Sequence, residues 1–206
     1  RKLSTEDFKD ITIKDALNHP NWNMGNKITI DSATMMNKGF EVIETKWLFN
    51  INAKDINILV HPQSIVHSMV EFKDTSIKAQ LGFPDMKIPI NYALNYPSHS
   101  VLDLPSLNLD KISTLTFEKP DLKKFKCIQL AYDSMNMGGT STAVLNIAND
   151  TSVGLFLNKK IAFVDIPKII ELCIEKHDYI RHPSLEEILG QIEWVQSYIN
   201  NFIVKD

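Results

Sequence analysis

Between His19 and Glu41 the spacing of apolar residues changes from every second position to a period of 3.6, and no other feature constrains this chain's fold as strongly. The stretch reads HPNWNMGNKITIDSATMMNKGFE. A loop rich in Pro, Gly and Asn covers residues 19–26. Lys27–Asp31 then alternates polar and apolar like a strand. Asp31 and Ser32 are both competent helix caps, so a helix is expected to start there. Along that helix Met36, Phe40, Ile43 and Trp47 fall within about 60° of one another and form a predicted buried stripe. Asn37, Lys38, Glu41 and Glu44 share an arc of about 120° on the opposite side.

Two readings of that polar arc stand side by side. It is an ordinary solvated face, or it is a ligand site, because the N–H groups at a helix N-terminus favour anions. In the second reading Asn37 and Lys38 are donors, and Glu41 holds a divalent cation or pairs with Lys38 at i,i+3. The loop before it has the same ambiguity. Trp22 and Met24 are large apolar side chains that either fold back onto the core or act as a lid over a ligand.

The remaining chain reads as support. A short helix at Asp15–Leu17 stops at His19-Pro20. Residues 55–60 (DINILV) read as a buried strand. Residues 65–72 and 77–83 form a β-hairpin about the turn Lys73-Asp74-Thr75-Ser76. His67, in mid-strand, reads as a hydrogen-bonded core histidine. A short helix follows Pro84-Asp85 and runs to about Tyr96. Residues 96–120, with Pro97, Pro105 and Pro120, read as a crossing linker with one strand at Ser113–Phe117. Beyond Pro120 the pattern is wholly helical: 121–136, a break at Met137-Gly138-Gly139, 140–158 with a kink near Asn149-Asp150, 166–177, and a last helix from Leu185 to about Lys205. Ser184 and Glu187 give that last helix a capping box. The expected fold is therefore an α+β portion over residues 1–96 with a mixed sheet, a linker over 97–120, and an all-α bundle over 121–206.

A net charge of -3 and the lack of a long apolar run give no argument for nucleic acid or a membrane as partner. The 2 cysteines, Cys127 and Cys173, do not form a framework and point to a reducing compartment. All but Arg1 and Arg181 of the 22 basic residues are Lys, and Ile and Asn are abundant too, which suggests an AT-rich genome. No G-x-G-x-x-G follows a strand, and there is no Walker A, zinc spacing or nucleophile elbow. One carboxylate, Glu41, cannot hold a metal alone. The chain starts at Arg1 rather than Met, so the expectation is that further ligands, and any targeting peptide, lie upstream.

HPNWNMGNKITIDSATMMNKGFE (19–41), HPQSIVHSMV (61–70) and AQLGFPDMKIPI (79–90) resemble the 1-deoxy-D-xylulose 5-phosphate reductoisomerase family. The likeness continues more loosely through FEKPD (117–121) and ANDTSV (148–153). It implies an NADPH-dependent oxidoreductase that uses Mg2+ or Mn2+ to rearrange and reduce the phosphorylated ketose to 2-C-methyl-D-erythritol 4-phosphate, in non-mevalonate isoprenoid synthesis. It also implies a homodimer whose N-terminal Rossmann domain is absent from this chain, leaving the chain inactive alone.

Carried over by motif, His19, Ser32 and Asn37 match phosphate contacts, with Lys38 contacting the substrate backbone beside the metal. Glu41 matches one of the metal carboxylates, and Trp22 and Met24 match a flap over substrate and nicotinamide. Gly25 matches a close backbone approach to the cofactor, with Met86 and Pro84 on the nicotinamide side. His67 matches a supporting histidine near the site. The Lys-rich composition suits the plasmodial branch of the family, and with it an apicoplast (plastid) location. Two other classes remain open: a non-catalytic oligomerisation module, and a metal-dependent sugar-phosphate isomerase without reduction.

Overall fold

The computed structural model describes residues 3–18 and 24–203. Contacts divide the chain into two compact units, one built from residues 1–57 with 121–206 and the other from 58–120. Thus the segment with the candidate site packs with the C-terminal helices, although the 58–120 unit separates them in sequence.

The first unit is helical. Helix α1 (Ile13–Leu17) opens with a complete capping box between Thr12 and Asp15. Helix α2 (Asn26–Thr34) and helix α3 (Met36–Phe49) follow, separated by Met35 in the left-handed conformation, φ 61°. After the second unit come α6 (Lys126–Met137), α7 (Ser141–Leu157), α8 (Asp165–Lys176) and α9 (Leu185–Ile203). Helix α7 is central, packing against α2, α6, α8 and α9. Its buried residues include Val144, Leu145, Ala148, Asn149, Ser152, Val153 and Phe156, so it is enclosed on several sides. Helix α8 buries a single stripe, Ile166, Ile169, Ile170, Cys173 and Ile174, with the i, i+3, i+4, i+7, i+8 spacing of an amphipathic helix. Phe8 joins this core edge-on to Phe125 and Phe163, which anchors the N-terminal segment to the later helices.

Several helix limits follow the sequence signals closely. The Ser184–Glu187 capping box is formed in both directions. The break between α6 and α7 falls at Gly138 and Gly139, with φ of 70° and 53°. A Cβ at Gly139 would collide with the Ile180 carbonyl, so that position needs glycine on two counts.

Other expectations are corrected. Residues 27–31 are not a strand but the body of α2, so neither Asp31 nor Ser32 caps a helix. Polar and β-branched residues are accommodated there because Thr29, Ser32 and Thr34 donate their hydroxyls back to the carbonyls of Gly25, Ile28 and Ile30. The buried stripe of α3 runs through Met36, Gly39 and Val42, leaving Trp47 72% exposed. Gly39 sets that line: a Cβ there would lie 2.7 Å from Ala131 Cβ, so α3 and α6 approach closest along it. Trp47 lies about 140° round the helix from Val42 and misses the contact. Helix α7 runs without interruption through Asn149-Asp150.

In the second unit β1 (Val66–Glu71) pairs antiparallel with β2 (Ile77–Leu81), with a register irregularity between Val66 and Ser68. Helices α4 (Lys87–Asn95) and α5 (Leu109–Ile112) follow. This hairpin is the sheet among the described residues, in place of a larger mixed one. The expected strands at 55–60 and 113–117 reduce to one bridge, Val60 with Glu118, and residues 55–60 are not buried. His67 is exposed on β1 rather than in a core. Among the described residues no helix is long and apolar enough to cross a membrane.

Candidate functional site

The junction of α2 and α3 brings Ser32, Asn37, Lys38 and Glu41 into one short region of the first unit. Thr34 ends α2, and its hydroxyl accepts the Met36 N–H at 3.3 Å. Met35, at the N-cap of α3, has no oxygen in its side chain and caps nothing. Beyond Met36, whose N–H the Thr34 hydroxyl takes, the first turn of α3 has no N-cap side chain to accept its amides, and it contains Asn37 and Lys38. Such a turn suits an anion, and Lys38 adds a full positive charge to it.

Lys38 Nζ donates to both carboxylate oxygens of Glu41, at 2.6 and 2.8 Å. Both side chains are about half exposed, so the pair contributes only about 0–1 kcal/mol to folding. It nevertheless keeps cation and carboxylate adjacent on one helical face. Glu41 is a hard oxygen donor of the kind Mg2+ takes, but among the described residues no three His, Cys, Asp or Glu side chains are grouped to hold a metal. The donor set fits one contribution to a metal centre and does not fit a complete one.

The same helix α2 carries a second network, which periodicity does not reveal. Asp31 is 1% exposed, and its Oδ1 accepts from Asn149 Nδ2 at 2.9 Å. Its Oδ2 pairs with Lys27 Nζ at 2.7 Å, and the same ammonium lies 2.9 Å from Asp150 Oδ1. Partial burial pulls the Lys27 pKa down, but the bonds and charges of Asp31 and Asp150 outweigh that and hold it above the ordinary lysine value. The signal was present as the i,i+4 spacing of Lys27 and Asp31, which has meaning only once the segment is helical.

The other candidates are scattered or lie elsewhere. His19 and Trp22 lie outside the described residues. Met24 is half-buried, and Gly25 is the exposed N-cap of α2, with open space where a Cβ would stand. Met86, 48% exposed, precedes α4 in the second unit, as does Pro84.

The comparisons with known proteins agree on one family. Residues 81–198 match the model described as DXP reductoisomerase C-terminal domain, and residues 1–49 match 1-deoxy-D-xylulose 5-phosphate reductoisomerase C-terminal domain. The 1-deoxy-D-xylulose 5-phosphate reductoisomerase of Acetivibrio thermocellus is 52% identical over 203 residues, covering 98% of this chain and 53% of that protein. That of Chloroherpeton thalassium is 57% identical over 192 residues, covering 93% and 50%. A crystal structure of DOX-P reductoisomerase with NADPH, fosmidomycin and magnesium superposes with a TM-score of 0.91 at 40% identity, covering 98% of this chain and 52% of that one. The Zymomonas mobilis enzyme with NADPH gives 0.89 at 41%, with the same coverage. The chain spans about half the length of these relatives. It belongs to the 1-deoxy-D-xylulose 5-phosphate reductoisomerase family.

Proposed function

We propose that this chain is the C-terminal part of an NADPH- and divalent-metal-dependent 1-deoxy-D-xylulose 5-phosphate reductoisomerase. The observation that carries the reading is the bidentate Lys38–Glu41 pair on the first turns of α3, whose N-cap residue Met35 offers no side-chain acceptor, within a family whose solved members hold NADPH, fosmidomycin and magnesium.

In this reading Ser32, Asn37 and the first turn of α3 bind the phosphate, with Lys38 adding charge. Glu41 contributes one carboxylate to the metal, the other ligands coming from the remainder of the protein. The bound metal supplies Lewis acidity for the carbon–carbon rearrangement, and NADPH the hydride for reduction. Lys38 would then leave Glu41 to face the substrate, a change of partner that costs little because the pair is exposed. His19 and Trp22 belong to this proposal through their motif alone, as do Met24, Gly25 and Met86 on the cofactor side. A homodimer is part of it too, favoured by the exposed apolar residues Met69, Val70 and Ile77 on the hairpin.

The test is NADPH oxidation by the complete protein. The expected result is consumption that requires both 1-deoxy-D-xylulose 5-phosphate and Mg2+ or Mn2+. Rearrangement without NADPH consumption would favour a sugar-phosphate isomerase instead, and no turnover of either kind would favour an oligomerisation module.

A further inference from the structure

Lys27 carries none of the roles assigned above, yet its ammonium meets three helices. It pairs with Asp31 within α2, with Asp150 on α7, and stands 5.0 Å from the centroid of the Phe40 ring on α3. The ion pairs Lys38–Glu41 and Lys168–Asp165 each stay within one helix, whereas Lys27 crosses between elements. What it joins matters. Asp31 is adjacent to Ser32, and Phe40 is adjacent to Glu41 and two residues from Lys38. The left-handed residue Met35 turns the chain between α2 and α3, and the Lys27–Phe40 contact spans that turn.

We infer that Lys27 is a positioning residue for the phosphate and metal groups, fixing α2 against α3 through Phe40 and both against α7 through Asp31 and Asp150. The inference rests on the function proposed above. The buried end of the network is rigid: Asp31 is enclosed and held by Asn149, so Lys27 has a stationary carboxylate to pull against. Asp150, by contrast, is 56% exposed at its side chain and can be altered without opening the core. A methionine at 27 keeps an unbranched apolar stem but loses both carboxylates and the ammonium–ring contact with Phe40.

The experiment uses the complete protein with NADPH and magnesium, and fosmidomycin as the probe, titrated by calorimetry at a temperature where each variant is folded. Lys27→Met should weaken fosmidomycin binding about tenfold, the equivalent of one good hydrogen bond. It should also raise KM for the sugar phosphate more than it lowers kcat, and Lys27→Arg should recover most of the loss. A lower melting temperature with unchanged fosmidomycin affinity would overturn the inference and leave Lys27 merely structural. If Lys27→Met does not fold, Asp150→Asn decides: weaker binding at an unchanged melting temperature supports positioning, and unchanged binding overturns it. Lys38→Met separates the two proposals. Binding lost in Lys38→Met but kept in Lys27→Met sinks only the positioning role, and binding kept in both sinks the functional reading as well.

Discussion

Asn149 donates a hydrogen bond to the buried carboxylate of Asp31 across a sequence separation of 118 residues, at 2.9 Å. This contact ties the helix of the candidate site to the central helix of the C-terminal bundle. Removing the amide by Asn149→Ala leaves Asp31 Oδ1 enclosed without a partner, which costs about 1–3 kcal/mol. Chemical denaturation of the purified protein should show that loss. A change within about 0.5 kcal/mol would mean that water or a rearrangement replaces the amide.

The same network sets a dependence on alkaline pH. The folded-state pKa of Lys27 is raised above its ordinary value of 10.5, so its stabilisation is fully present below that value. It is lost as pH rises through the higher folded-state pKa. The wild-type stability advantage over Lys27→Met should therefore be constant from neutral pH to about 10 and shrink above it. An advantage that grows with pH would contradict the sign.

Packing between α3 and α6 makes a third, local prediction. Gly39→Ala places a methyl group 2.7 Å from Ala131 Cβ, and such overpacking costs about 1–3 kcal/mol. Gly154→Ala, on α7, meets no atom within 4 Å and should be neutral or stabilising by up to about 1 kcal/mol. Equal effects at the two glycines would show that α3 is not held against α6 at Gly39.

The thiols make a fourth. Burial pushes both Cys127 and Cys173 up to about 12, and they are 1% and 0% exposed. Neither should react with a thiol reagent at pH 8 in the native protein, and both should react on unfolding. Rapid labelling of the native state would place at least one of them outside the core.

How far the sequence could lead is clearest at Lys27–Asp31. Its alternation suggested a strand, whereas the structure forms a helix. The deciding facts were side-chain hydroxyls bonding back to carbonyls and an Asn149 partner far along the chain, and neither is visible in local periodicity. The C-terminal helices were legible because their signals are local: a capping box at Ser184, glycines at 138 and 139, and a clean apolar stripe in α8. Trp47 was misplaced because an amphipathic pattern identifies apolar residues, not which line a neighbouring helix will approach. The polar face of α3 read as either ordinary or functional, and spacing alone could not separate the two. The family motif matches those residues to roles, and the geometry forms the i,i+3 pair of Lys38 with Glu41 that the spacing had offered.

The central claim is that Glu41 gives its carboxylate to a catalytic metal. Because the pair with Lys38 is exposed, Glu41→Gln should leave thermal stability within about 1 kcal/mol of wild type. The decisive measurement is turnover of that variant in the complete protein, with NADPH and saturating Mg2+. The account predicts that activity is abolished while the melting temperature holds. Activity at the wild-type level would contradict it.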